Sequence, residues 1–213
     1  MYLSRLILNP RHRRAQRELA QPYQMHRSLL RAFPDNLDRE RERVLFRVEV
    51  NPRSSEPAVL LQSTLEPDWS WLQENGARGY LLRPPETKPF DLQLAPGQTL
   101  VFRLRANPTA RRTFVEKGEK KKRRVGLYRE EEQIAWLERK GEHGGFRPLS
   151  VRSGGQETVG GWDKERHKLK LLAVQFDGLL QVTDPARLRQ TVRQGIGSGK
   201  GLGFGLLSLA PPP

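Results

Sequence analysis

His26 stands one helical turn from Tyr23 in the segment Pro22-Tyr23-Gln24-Met25-His26-Arg27-Ser28-Leu29-Leu30-Arg31-Ala32-Phe33. Met25, Leu29, Ala32 and Phe33 recur at helical spacing and predict an apolar stripe. On the same helix Tyr23 and His26 sit about 60° apart, Arg27 falls about 40° from Tyr23, and Arg31 lies one turn beyond Arg27. One helix surface can therefore offer an imidazole, a phenol and guanidinium groups within mutual reach. Such groups fit a metal-free reaction in which an RNA 2′-hydroxyl attacks the adjacent phosphorus. An imidazole can take the 2′-OH proton or protonate the leaving 5′-oxygen. A phenol with a pKa of about 10 is better suited to orienting the 2′-OH, and Arg to offsetting charge on the phosphorane. The expected catalytic set is Tyr23, His26, Arg27 and Arg31; an ordinary surface histidine on a basic helix is the competing reading of this spacing.

The second feature is the tract Gly195-Ile196-Gly197-Ser198-Gly199-Lys200-Gly201-Leu202-Gly203-Phe204-Gly205, followed by Leu206 and Leu207. Glycine at this density lets a backbone approach a partner closely with its N–H groups free to meet phosphates, which singles out Gly197, Gly199 and Lys200. It is not a nucleotide-hydrolysing P-loop. Gln194 stands where that motif needs its first glycine, and Gly201 follows Lys200 where a Ser or Thr would hold magnesium. A glycine-rich loop that only leads into a last strand is the plain alternative.

Charge names the partner class. The 213 residues carry 38 Lys+Arg against 24 Asp+Glu, a formal net charge of +14, and no Lys precedes Lys88. An arginine bias suits phosphate forks and base stacking, so RNA or DNA is the expected partner. The absence of Cys removes disulfide, thiolate and zinc-finger chemistry. His12, His26, His143 and His167 lack metal-ligand spacing and the carboxylates form no evident cluster, so neither metal nor other cofactor is expected. The apolar start Tyr2–Leu8 is too short for a signal peptide, no run reaches membrane-spanning length, and a soluble cytoplasmic protein is expected. Arg111 to Arg124 reads as a mobile basic loop able to track a phosphate backbone. Lys164, Arg166, His167, Lys168 and Lys170 could form a basic hairpin.

The elements that must position these groups follow a repeated order. Strand 2–8, helix 22–33, alternating strand 44–50, strand 57–63, a short helix capped by Asp68 and a weak strand near 80–82 give β-α-β-β-α-β. Residues 86–98 read as a linker between an N-terminal domain, 1–85, and a C-terminal domain, 99–213. The second half repeats the order. It has a strand at 100–106, a helix at 130–140 and a strand at 147–151. Segments 168–176 and 179–183 flank Asp177-Gly178, read as a hairpin turn. Asp184-Pro185 opens a helix ended by Gly195, and the last strand spans about 203–209. The fold class is α+β, two tandem ferredoxin-like domains, with one strand too many in the second copy.

Several of these segments, taken in order, resemble the CasE family, the CRISPR RNA-processing endoribonuclease of type I-E systems. They are Leu6-Ile7-Leu8-Asn9-Pro10, Pro22-Tyr23-Gln24-Met25-His26-Arg27, Glu66-Pro67-Asp68-Trp69, Phe102-Arg103-Leu104-Arg105-Ala106-Asn107-Pro108, Ala135-Trp136-Leu137 and Gly205-Leu206-Leu207-Ser208. The resemblance implies metal-independent cleavage at the 3′ base of a repeat hairpin, leaving a 2′,3′-cyclic phosphate and a 5′-hydroxyl. It implies retention of the processed RNA and assembly with other Cascade subunits. His26 matches the family's catalytic histidine and Tyr23 a tyrosine some relatives use; Arg31 stands where a close relative has Lys. The expected RNA contacts are Arg105, Arg111, Arg112, Lys164, Arg166, Lys168, Gly197, Gly199 and Lys200. The Lys-rich stretch 115–124 departs from relatives, and the sequence leaves open whether it is ordered or a disordered insertion. A non-catalytic RNA-binding subunit of the same complexes is the alternative.

Overall fold

The computed structural model describes residues 1–38, 41–116, 119–162 and 168–213. The first half places β1 (Tyr2–Ile7), α1 (Arg13–Ala20), α2 (Pro22–Leu30), β2 (Val44–Val50), β3 (Pro57–Ser63), a 3₁₀ turn at Ser70–Gln73 and β4 (Glu86–Pro89). Its antiparallel sheet runs β2-β3-β1-β4. Leu6, Leu8, Met25, Leu29, Phe46, Val59 and Leu61 bury one face of that sheet against α2. The second half adds β5 (Thr99–Ala106), β6 (Thr109–Glu116), β7 (Glu119–Gly126), α3 (Glu130–Gly144), β8 (Phe146–Trp162), β9 (Lys168–Val182), α4 (Pro185–Gln194) and β10 (Leu207–Ala210). Its sheet runs β10-β5-β9-β8, so the order of the first sheet recurs. These are two ferredoxin-like domains in tandem, with β6 and β7 inserted as a separate ribbon.

The surplus strand resolves at Asp177-Gly178. That pair is not a turn: Gly178 pairs with both Phe102 and Val151 inside one continuous β9. A Cβ at Gly178 would lie 2.0 Å from the Ser150 carbonyl oxygen, so the glycine serves a close strand approach at a bulge. Near residues 80–82 there is only the bridge Leu8↔Leu81; the fourth strand of the first sheet is Glu86–Pro89, at the start of the segment expected to be linker. Helix α1 precedes α2 and turns Ala15 and Glu18 inward. The last strand is shorter than expected, beginning at Leu207. Stretch 115–124, left open by the sequence, is strand where it is described. It is the outer part of the β6–β7 ribbon, in which Arg111 pairs with Arg124 and Thr113 with Lys122.

β2 also departs from simple alternation, since Val44, Leu45, Phe46 and Arg47 are all buried. Its second face meets the other domain. Arg47 donates from Nη1 to the Leu206 carbonyl at 3.0 Å and from Nη2 to Ser208 Oγ at 2.9 Å, and pairs with Glu49 at 2.7 Å. Gln62 Nε2 donates to the Val192 carbonyl at 2.8 Å. A buried guanidinium costs several kcal/mol of desolvation unless paired. Burial lowers the Arg47 pKa, opposed by Glu49, and the satisfied fork fixes the domain register.

Candidate active site at the domain junction

Helix α2 begins at Pro22, whose fixed φ and missing N–H suit a first helical position. Its inner face is pinned by a buried polar cluster. Glu18 on α1, 2% exposed, accepts from Arg14 Nε at 2.7 Å, Ser28 Oγ at 2.5 Å and Tyr80 Oη at 2.6 Å. The Arg14 guanidinium lies over the Trp71 ring at 4.8 Å. Burial, with the Glu18 charge beside it, drives the Tyr80 pKa far above the ordinary phenol value, so Tyr80 stays a neutral donor. Ser28, two residues after His26, is thereby fixed.

With that face held, Tyr23 and His26 project together, their ring centroids 6.5 Å apart. The imidazole stacks on Phe46 at 6.1 Å and 13°, and its Nδ1 is buried. The wall opposite is the glycine tract. A Cβ on Gly201 would stand 3.2 Å from His26 Cδ2 and 3.4 Å from Nε2. The two strongest chemical features of the sequence, far apart along the chain, thus meet across the junction. Gly199 holds φ +80°, and a Cβ there would lie 2.6 Å from the Phe204 ring, so this turn needs glycine for both reasons.

On one side of this contact a cavity of about 490 Å³ is lined by Tyr23, Arg124, Tyr128, Lys170, Ser198 and Gly199. On the other a smaller one of about 120 Å³ is lined by His26, Leu37, Glu42, Arg43, Lys200 and Gly201. Burial lowers the Lys200 pKa, and the neighbouring Arg43 and Lys140 charges lower it further.

The remaining expected residues are dispersed. Arg27 is exposed on α2. Arg31 turns away from His26, pairing with Glu74 at 2.5 Å and lying over Trp71 at 5.0 Å. Arg105 pairs with Glu157 and covers Phe204 at 5.6 Å, away from the Tyr23 cavity. Arg111 and Arg112 lie on opposite faces of the ribbon. Arg112 is tied to Glu132 at 2.5 Å, while Arg111 shares its face with Lys120, Lys122 and Arg124. Gly197 packs against Trp136. Lys168 is the first residue of β9, and Lys164 and Arg166 lie outside the described residues. Arg43 carried no sequence signal as a site residue; Tyr128, an aromatic beside a basic strand and 66% exposed, could have been flagged. Among the described residues no group of three or more His, Asp or Glu could hold a metal, and no helix is long and apolar enough to cross a membrane.

Fold and site define a class: a tandem ferredoxin-like protein with a histidine held between cations at the domain junction. The chain belongs to the CRISPR associated protein family, whose sequence model matches residues 1–211. It is 45% identical to the CRISPR-associated endoribonuclease Cse3 of Thermus thermophilus, over 99% of this chain and all of that protein. It is 37% identical to the CRISPR system Cascade subunit CasE of Escherichia coli, with the same coverage. Its fold superposes on Thermus thermophilus Cse3 bound to an RNA representing a pre-cleavage complex, with TM-score 0.83 and 44% identity over 99% of this chain and 98% of that one.

Proposed function

We propose that this protein is a cytoplasmic, metal-independent endoribonuclease. It cuts CRISPR precursor RNA at the 3′ base of the repeat hairpin and stays on the product as a subunit of a Cascade assembly. The observation that carries the reading is the Tyr23–His26 pair pressed against the glycine tract at the domain junction. Support also comes from the full-length identity to a protein named as a CRISPR endoribonuclease and to a Cascade subunit.

The 2′-oxygen forms its bond to phosphorus as the bond from phosphorus to the 5′-oxygen breaks. One proton leaves the 2′-OH and one reaches the departing 5′-oxygen, so no water enters the bond-making. His26 serves one of these transfers, and Tyr23 orients the sugar. Arg27, exposed on the same helix, meets a phosphate of the strand. Arg31 reaches the strand by leaving Glu74, a partly exposed pair of the kind worth about 0–1 kcal/mol. The ribbon face bearing Arg111, Lys122 and Arg124 tracks the backbone beyond the cut.

The test is His26→Ala against wild type, assayed for cleavage and for binding of the repeat hairpin. Cleavage should fall by about 10²–10⁴-fold with binding kept within a few-fold. Unaltered cutting would remove His26 from the mechanism.

A further inference from the structure

The small cavity beside His26 holds an unbalanced charge arrangement. Arg43 precedes β2 and Lys200 opens the turn of the glycine tract, and both line that cavity with the imidazole. Arg43 Nε is buried with no hydrogen-bond partner. Among the described residues no carboxylate pairs with Arg43 or Lys200. The one acid in the lining, Glu42, accepts instead from the Asp38 backbone N–H at 3.0 Å. Two half-buried cations are brought together with Lys140 near enough to act on Lys200. Crowding like charges in a partly desolvated place is unfavourable, and the arrangement relaxes when an anion enters. The Gly201 backbone, lying against His26, leaves that anion no side chain to clear.

We propose that Arg43 and Lys200 form an oxyanion clamp that holds the non-bridging oxygens of the scissile phosphate against His26. The clamp rests on the endoribonuclease reading and deepens it: it supplies cations already in place at the reacting phosphorus, where Arg31 must first leave Glu74. Charge on the phosphorane rises as the 2′-oxygen adds, so prepositioned cations bind that state better than the diester.

The experiment has two arms, run on wild type, Arg43→Ala, Lys200→Ala and the double variant. In the first, single-turnover cleavage of the repeat hairpin at saturating protein is compared with affinity for the same RNA carrying a 2′-deoxy sugar at the cut. Each single variant should cleave about 10²–10³-fold more slowly, the loss typical of removing one oxyanion donor, while affinity changes by only a few-fold. In the second, inorganic phosphate at constant ionic strength is titrated into the free protein and followed by thermal unfolding. Phosphate should raise the wild-type midpoint, and the double variant should lose that part of the rise. Variants that cut at the wild-type rate, or whose loss is matched by weaker binding, overturn the clamp. A wild type that does not cut, with phosphate stabilisation still lost in the double variant, would overturn the endoribonuclease reading and leave the anion site standing. If the double variant keeps the full phosphate response, there is no anion site there.

Discussion

Gly201 offers the sharpest perturbation of the junction. Its φ is not positive, so alanine meets no backbone penalty there. A Cβ would sit 3.2 Å from His26 Cδ2, inside the ordinary contact range that begins near 3.4 Å. The imidazole must give by a few tenths of an ångström, and it has Phe46 stacked on it at 6.1 Å. Misplacement by about 1 Å can cost about 10²-fold in rate, so this smaller push should cost about 3- to 10-fold. Valine, with two further methyls, should approach about 10²-fold. Stability should move by less than about 0.5 kcal/mol for the alanine variant, because no core contact is lost. The assay is single-turnover cleavage of the repeat hairpin in EDTA, with thermal unfolding and binding of a 2′-deoxy RNA measured in parallel. Wild-type cleavage by Gly201→Ala and Gly201→Val together would refute the reasoning, for the reacting imidazole would then not be the one against this loop.

Glu18→Ala should destabilise the fold by about 3 kcal/mol, since it strands the Arg14 guanidinium and the Tyr80 hydroxyl it now accepts from; a change below about 1 kcal/mol in denaturant unfolding would contradict the buried cluster. The Lys200 pKa is lowered in the folded state, so between that lowered value and the ordinary lysine range near 10.5 the unfolded chain binds more protons and the stability contribution rises with pH. Lys200→Met should lack that alkaline rise, so the wild-type-minus-variant stability difference should climb with pH, and a flat difference would refute the crowding. On the ribbon, Arg111→Ala and Arg124→Ala should each flatten the salt dependence of hairpin binding by about 0.7–0.9 of a log unit per log unit of salt; unchanged slopes would place the RNA elsewhere.

Local signals read well where one element explains them. Pro22 and the Met25–Leu29 stripe gave α2, and the Asp184 side chain does accept from the Ala186 and Arg187 N–H groups, as its position before Pro185 foretold. Misreadings arose where a distant neighbour decides. Asp177-Gly178 has turn chemistry, yet the glycine answers to Ser150 across the sheet. The alternation of β2 pointed to one solvated face, but Leu45 and Arg47 face the second domain. The helix half of the site was legible because Tyr23 and His26 are one turn apart, and the glycine half because of its composition. Their meeting was not legible, because nothing local records which loop a helix will face. Arg31 shows the same limit: α2 ends at Leu30, short of the expected residue 33, and Glu74 and Trp71 draw Arg31 to another side.

The most direct measurement is cleavage in EDTA of the cognate repeat hairpin beside the same RNA with one 2′-deoxy sugar 5′ of the cut. The all-ribose strand should be cut to a 2′,3′-cyclic phosphate and a 5′-hydroxyl while the deoxy strand is bound and left intact. Cleavage of both strands would require an external nucleophile and contradict the 2′-OH mechanism, and tight binding with neither cut would contradict the enzyme itself.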